Sequence, residues 1–430
     1  MPASTSSFIA TLDGHAPIGQ EEFVELWQVL STVSDPRDPR GVRHSFATIL
    51  TLAAAAVLAG CTSISAIAAW AADLPSWHHH RIGIRRRVPR LSTFARALAG
   101  VDPDVLDAVL GAWLTTRTSA PNGLRALALD GKSARGARRP DGSRVHLVGV
   151  LEHRSGTVLA QVEVASKGSE IGAFMTVLDR VDLHGCVVTA DALHTQSAHA
   201  HYLHRHGGHY VLTVKGNQPT LRARCAALPW SQVPTAHVEH DKGHGRREQR
   251  TLQVITAVRP RLPFPHACQI ARVVRDSRRG PAGEAHLQIE FVITDLTPEQ
   301  ADPAQLAALI RGHWGIENRL HWVRDVTFGE DHSSIRTAHA ATAMATLRNT
   351  GTRALIEVLL AHRTTATGAL TAAMDRAVTT GVLDPQVVLI DARAQTNHVA
   401  PVVAIDGLAR YDRPAPTLTG YDDLLTRSGT

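Results

Sequence analysis

Between residues 124 and 214 apolar runs and helical stretches follow one another in a fixed order: three strands, a helix, a strand, a helix and a strand. The strands are Leu124 to Asp130, Val145 to Val150, Val158 to Ala165, Cys186 to Asp191 and Tyr210 to Val214. Glu170 to Val181 and Ser197 to His206 carry helical spacing, and Ser155-Gly156 marks a hairpin between the second and third strands. That order predicts a mixed α/β sheet with helices on its faces. Two of the apolar runs stop at an acid. Leu127-Ala128-Leu129 is ended by Asp130, and Cys186 to Ala190 is ended by Asp191.

A third acid lies in the stretch from Ile310 to Asp331, IRGHWGIENRLHWVRDVTFGED. Residues four apart share a helix face, so His313, Glu317 and His321 form one stripe, which Arg324 continues. On its own such a stripe fits a solvated salt-bridge face. Two acids at strand ends and one on a later helix make a metal-site pattern instead. Three carboxylates so placed can hold two Mg²⁺ (or Mn²⁺) ions about 4 Å apart, which activate an attacking oxygen and stabilise the leaving one at a phosphodiester. Oxygen-only ligands select hard cations of that kind. A zinc site of His313, Glu317 and His321 is the rival on this helix. Its two histidines are eight residues apart, about 12 Å along a helix axis, too far for one ion. Lys132, two residues past Asp130, and Arg324 could clamp phosphates. Lys132 by itself also fits a surface lysine after a turn.

Residues 20 to 118 read as helices with short breaks. Gln20 to Val33 is followed by the breaker Asp35-Pro36-Arg37-Asp38-Pro39-Arg40-Gly41. Ser45 is placed to cap the next helix and Gly60 to close it. That helix, Phe46 to Gly60, is fifteen residues of alanine-rich sequence. A membrane span needs about 20 residues, so a buried helix is expected. Ser63 to Ala72 is a third helix, Ser92 to Leu98 a short one with a serine cap, and Asp104 to Arg117 the last. Between them runs a basic segment that includes Arg85, Arg86 and Arg87, with Arg96 just beyond. Short helices around a basic turn suit a DNA-binding unit of helix-turn-helix type, and equally a bundle with a solvated arginine loop.

Net charge is +6 and the pI about 9.5, compatible with a polyanion partner. Four cysteines without CxxC spacing exclude a zinc knuckle and a disulfide framework, which fits a reducing cytosol. The N-terminus lacks the charged and apolar regions of an export signal, so a cytoplasmic protein without a membrane segment is expected. Residues 219 to 300 hold alternating runs at Thr251 to Val258, Gln269 to Val274 and His286 to Thr294, read as a β-rich insertion. Helical character returns at Pro303, and another helix covers about Ala338 to His362. The expected domains are therefore helices at 20–118, an α/β unit at 124–362 interrupted by 219–300, and a C-terminal helix (Ala366 to Thr380) and tail at 363–430.

Four stretches resemble the insertion-sequence DDE transposases of the H-repeat-associated group. They are Leu129-Asp130-Gly131-Lys132, Thr189-Ala190-Asp191-Ala192-Leu193-His194-Thr195, Val214-Lys215-Gly216-Asn217-Gln218, and His313-Trp314-Gly315-Ile316-Glu317-Asn318 with Leu320-His321-Trp322. Asp35-Pro36-Arg37, Gly41-Val42-Arg43-His44 and Leu58-Ala59-Gly60 resemble that family's N-terminal associated region. The resemblance covers roughly residues 20 to 360. It implies an RNase H-like core, whose strand order the chain shares, with Asp130, Asp191 and Glu317 as catalytic, metal-binding acids. It also implies cleavage of double-stranded DNA at the element's terminal inverted repeats and strand transfer into target DNA by the freed 3′-hydroxyl. Lys132, Lys215, His313, His321, Arg324, Arg85, Arg86, Arg87 and Arg96 are the expected DNA contacts. The wider superfamily often has a tyrosine and an arginine before the glutamate and a lysine after it, where this chain has Ile310, His313 and Arg324. The tail, with Tyr421-Asp422-Asp423-Leu424-Leu425, is similar to the end of transposases that work with a helper ATPase, and equally fits an ordinary flexible tail. A homodimer on paired DNA ends follows from two ends having to be cut and joined. A metal-dependent nuclease that does not join, and an inactive DNA-binding descendant, remain alternatives.

Overall fold

The computed structural model describes residues 20–40, 42–74, 82–84, 87–116, 123–139, 142–165, 167–243, 246–256, 262–279 and 285–350, with short pieces at 369, 372–373, 376 and 390–394. The chain divides into two compact units, Met1–Leu360 and Ala361–Thr430. In the second unit Arg376 donates to Asp391 at 2.9 Å. Most of the helix expected at Ala366 to Thr380, and the whole Tyr421 stretch, lie outside the described residues.

Among the described residues the first unit opens with five helices, α1 (Gln20–Leu30), α2 (Phe46–Leu58), α3 (Ile64–Ala72), α4 (Leu91–Gly100) and α5 (Pro103–Thr115). Ser45 caps α2 by accepting from the Thr48 N–H, and Ser63 caps α3 by accepting from Ala66. The serine expected to cap α4 does not. That helix begins one residue earlier, with Arg90 at the cap and no side-chain bond there. Gly60, at φ 90°, follows α2 in the left-handed region that stops a helix. Every residue of α2 is buried. A helix apolar all round belongs in a core, and among the described residues no helix is long and apolar enough to cross a membrane. The five helices share that core with Val323, Phe328, Met344 and Leu347, so they pack on the same unit that carries Glu317.

The sheet has nine strands in the order β3-β2-β1-β4-β5-β9-β8-β7-β6. These are β1 (Arg125–Arg138), β2 (Arg144–Glu152), β3 (Val158–Val164), β4 (Cys186–Ala190), β5 (His209–Val214), β6 (His237–Gly243), β7 (Arg246–Thr256), β8 (Gln269–Arg279) and β9 (Ala285–Thr294). β1, β4 and β5 run parallel, and the remaining pairings are antiparallel. The parallel connections pass through α6 (Glu170–Leu178) and α7 (Ser197–Arg205), which a parallel crossover requires. β4 is buried at all five positions, as expected of a central parallel strand.

One sequence expectation is corrected here. β1 does not end at Asp130 but runs eight residues further, held along that length by β2. The segment 219–300, read as a β-rich insertion, carries four strands that join this sheet. β9 pairs with β5, so β6 to β9 extend the same sheet, after a short helix α8 (Pro219–Ala226).

α5 lies on β3 through Gly111, where a Cβ would stand 2.2 Å from the Leu159 carbonyl oxygen. After β9, Asp302 and Gln305 form a capping box that starts α9 (Pro303–Gly312). The expected long α-helix through Glu317 is not continuous. Two π-helical turns, Glu317–His321 and Val323–Thr327, follow α9, and α10 (Ala340–Asn349) closes the described part of the unit.

Candidate metal centre

β1 and β4 are parallel and in register, with Leu129 opposite Ala190 as the last pair. The next residue on each strand is an aspartate, so Asp130 and Asp191 leave the pairing side by side. Asp130 remains in β1 opposite Gly149 of β2. Asp191 departs and caps the turn Ala192–His194, accepting from the Leu193 N–H at 2.9 Å. Ligands gather at such carboxyl ends of parallel strands in open α/β sheets.

Glu317 reaches this place from the first π-helical turn. His321 Nδ1 stands 3.3 Å from Glu317 Oε2 and 3.7 Å from Asp130 Oδ2. One donor atom each from Asp130, Glu317 and His321 lies within 4.8 Å of the other two, a group of potential metal ligands found among the described residues. Asp191 is not in that group, although its charge acts on both Asp130 and His313. His321 is buried and Glu317 half-exposed, so the cluster opens to solvent on the Glu317 side.

The electrostatics are strained. Burial, opposed by the Gly131 N–H and aided by the charges of Glu317, Asp191 and Glu170, pushes the Asp130 carboxyl up to about 7. Glu317 is held below the ordinary carboxylate range, first by its hydrogen bond to His321, then with help from Lys132 and Asp130. Below about pH 7 a proton therefore rests on Asp130 while Glu317 stays ionised. Burial lowers His313 and His321 despite the acids near them.

Behind Asp130 is a chain of polar contacts that sequence reasoning missed. Ser133 Oγ lies 2.7 Å from His146 Nδ1, and His146 Nε2 lies 2.6 Å from Glu170 Oε1. A Cβ on Gly131 would fall 2.6 Å from the Glu170 carboxyl carbon, which explains a glycine between Asp130 and Lys132. Thr189, on β4, lies 2.9 Å from His153 Nε2 and 3.2 Å from His313 Nδ1. No spacing rule marks His146, His153 or Glu170. They come from separate elements and meet only in the fold.

The expected DNA contacts are placed unequally. Lys215 is half-exposed, 3.4 Å from Glu290, and its charge reaches His313. Lys132 is buried with Nζ 2.6 Å from the Asp325 carboxylate. Arg324 is not on the surface that a phosphate clamp needs. It is buried, donates through Nε and Nη2 to Glu330 at 2.8–3.1 Å, and reaches Gln161 through Nη1. Arg87 and Arg96 are exposed, while Arg85 and Arg86 lie outside the described residues.

A family profile described as "Transposase DDE domain" matches residues 121–351, and one described as "DDE_Tnp_1-associated" matches residues 27–114. Two relatives whose names describe them as putative transposases are alike over most of the chain. YncI of Escherichia coli O157:H7 is 28% identical over 74% of this chain and 83% of its own length. The H repeat-associated YhhI of E. coli K12 is 26% identical over 76% of this chain and 89% of its own. The cryo-EM structure of a piggyBac transposase synaptic complex with hairpin DNA covers 95% of this chain and 89% of its own, at 9% identity and a TM-score of 0.38, too loose a likeness to carry an inference.

Proposed function

Because the chain belongs to the transposase DDE domain family, we propose that it cuts DNA at the ends of an insertion element and joins them to target DNA, with Asp130, Asp191 and Glu317 as its catalytic acids. The observation that carries this reading is the register of β1 on β4, which sets two aspartates side by side, together with the return of Glu317 to within reach of Asp130. The order β3-β2-β1-β4-β5, with α6 and α7 as crossovers, supports assigning the sheet to the RNase H-like class. The β-rich strands β6 to β9 and the helices α1 to α5 are then additions to that core.

The residues present fit a divalent cation. Asp130 is largely enclosed, and the charges of Glu317, Asp191 and Glu170 all bear on it. Carboxylate donors suit Mg²⁺ or Mn²⁺. Asp130, Asp191 and Glu317 are the residues that would hold the cation. Bound cations supply activation of the attacking oxygen and neutralisation of charge at the phosphodiester. The chain's own residues do the rest. Register and the Asp191 cap fix two acids on rigid backbone, which limits their reorganisation when charge develops. Lys215 and His313, on the Asp191 side, are the candidate contacts to a DNA phosphate. Lys132, bound to Asp325, contributes its field to Glu317 rather than a free phosphate contact. Arg87 and Arg96, on the helical region, offer a second DNA-binding surface. Double-stranded DNA in the cytoplasm is the partner, and a homodimer assembles on it because two ends must be processed together.

The test is incubation of the purified chain with Mg²⁺ or Mn²⁺ and DNA carrying the inverted repeats that flank its own gene. Cleaved ends and joined products are expected, both lost with EDTA. Cleavage without joined products would instead make it a nuclease, and metal-independent cutting would overturn the site.

A further inference from the structure

The cluster that brings Glu317 to Asp130 includes a nitrogen that a three-carboxylate centre has no use for. His321 Nδ1 makes one long hydrogen bond, to Glu317, and none to Asp130. Its 3.3 Å approach to Glu317 and 3.7 Å approach to Asp130 are both longer than the common N–H···O separation of about 2.9–3.0 Å. The spacing suits a shared cation better. An octahedral ion bound at about 2.0–2.1 Å sets neighbouring donor atoms about 3.0 Å apart, and these three donors already stand within 4.8 Å of one another. Local backbone supports the placement. Glu317 and His321 begin and end a single π-helical turn, a rare widened turn that often marks functional sites. His321 is also buried, so its ring is held facing the acids rather than free to swing into solvent.

Resting on the metal reading above, we propose that His321 Nδ1 is a direct ligand of the divalent cation held by Asp130 and Glu317. This position then has two oxygen donors and one nitrogen donor, while the Asp130–Asp191 side keeps oxygen donors alone. Imidazole nitrogen favours transition metals, and carboxylate oxygen suits Mg²⁺ and Mn²⁺ alike. The mixed set therefore selects Mn²⁺ over Mg²⁺ at the Glu317 side. His321 becomes a residue that sets cation choice, not a contact to DNA.

Pulsed electron paramagnetic resonance on the DNA-free, full-length chain loaded with Mn²⁺ reads the ligand directly. Modulation from a coupled ¹⁴N nucleus is expected in the wild type. It should be lost in His321→Gln, which keeps a side chain of similar reach but has no imidazole, and retained in His313→Gln. Mn²⁺ titration should show weaker binding in His321→Gln by at least about tenfold, since loss of a merely supporting partner already costs about 10- to 100-fold, with a smaller loss for Mg²⁺. A His321→Ala variant, checked by circular dichroism, gives the same comparison should the glutamine disturb packing. Mn²⁺ bound without ¹⁴N coupling in the wild type, or coupling that survives His321→Gln, overturns this assignment and leaves the three-acid site standing. No Mn²⁺ bound at all would overturn the metal reading itself.

Discussion

Arg324 and Glu330 form a buried, two-pronged ion pair across six residues, with side-chain exposures of 2% and 3%. Arg348, from α10, donates to the same carboxylate at 2.9 Å, and Gln161 of β3 receives the remaining prong of Arg324. The pair therefore ties the π-helical segment that carries Glu317 to both α10 and the sheet. Removing one partner of a buried pair leaves an uncompensated charge, at a cost of about 3–5 kcal/mol. Glu330→Gln should destabilise the chain by that amount, because it leaves two buried guanidinium groups facing each other. Arg324→Met should cost less, since Arg348 still neutralises Glu330. Chemical denaturation of the two variants checks the ranking. An Arg324→Met protein of unchanged stability and weakened DNA binding would return Arg324 to the surface role that its position in sequence suggests.

The contrast shows where the sequence is legible. The strands that hold Asp130 and Asp191 are buried, and buried parallel strands are short continuous apolar runs that stand out against their flanks. The continuation of β1, Gly131 to Arg138, has no such run. It is extended because β2 lies along it and because Gly136 admits the Ser333 carbonyl, to which a Cβ would stand 2.4 Å away. β6, His-Val-Glu-His-Asp-Lys-Gly, is equally silent, being a polar strand at the sheet edge. Spacing of four correctly places Glu317 beside His321, but a π-helical turn shows no sign in the sequence. Nor does helical spacing pair residues six apart, so Arg324 reads as exposed until Glu330 is seen folding back onto it. The two aspartates are visible because apolar runs stop at them. Their supports, His146, Glu170 and Thr189, are not.

Asp130 pays for function with stability. Its carboxyl is pushed up to about 7 by burial and by neighbouring acids, so neutralising it should relieve the metal-free fold. Asp130→Asn is expected to raise stability without metal by about 0.5–2 kcal/mol, the range common for single stabilising changes. The same variant should lose cleavage. It should also lose most of the rise in melting temperature that Mg²⁺ or Mn²⁺ gives the wild type by binding only the folded state. Thermal melts with and without metal decide it, and an equal metal-induced rise in both proteins would remove Asp130 from the site.

Asp107 predicts a pH dependence of stability outside the metal cluster. It sits on α5, nearly fully buried, where it accepts from the Gln161 N–H at 2.7 Å and lies 3.2 Å from Arg180. Burial outweighs these partners and lifts its carboxyl from 3.8 to about 7. Between those values the folded chain holds a proton there that the unfolded chain has released. Raising pH across that window therefore favours unfolding, and the loss is complete above the folded value. Displacement of a pKa by one is worth about 1.4 kcal/mol, which puts the loss on the order of a few kcal/mol. Asp107→Asn keeps an acceptor for Gln161 but cannot ionise. Its stability, relative to wild type, should increase from about pH 4 to about pH 7 and then level off. A stability difference between wild type and Asp107→Asn that stays flat over this range would place an ionised Asp107 in the fold.

Arg87 and Arg96 test which surface meets DNA. Both are exposed, and Arg96 commits only Nε to its own helix, donating to the Ser92 carbonyl at 3.1 Å. A guanidinium held that way still has its outer nitrogens turned to solvent. The helices beneath are fixed, because α4 buries Phe94, Ala97 and Leu98 in the same core as α2. Substituting the two arginines should therefore leave the fold alone and act on DNA affinity. Neutralised phosphates release counterions, and each phosphate left without its arginine lowers the slope of log affinity against log salt by about 0.9 on duplex DNA. The protein carrying both Arg87→Ala and Arg96→Ala should bind more weakly at low salt, with a slope shallower by nearly 2 if both residues touch phosphate. Fluorescence anisotropy on inverted-repeat DNA between roughly 50 and 200 mM salt, the range over which phosphate binding weakens most visibly, gives the slope directly. An unchanged slope would mean that these arginines form a solvated face, and would leave Lys215 and His313 as the DNA-binding residues nearest the acids.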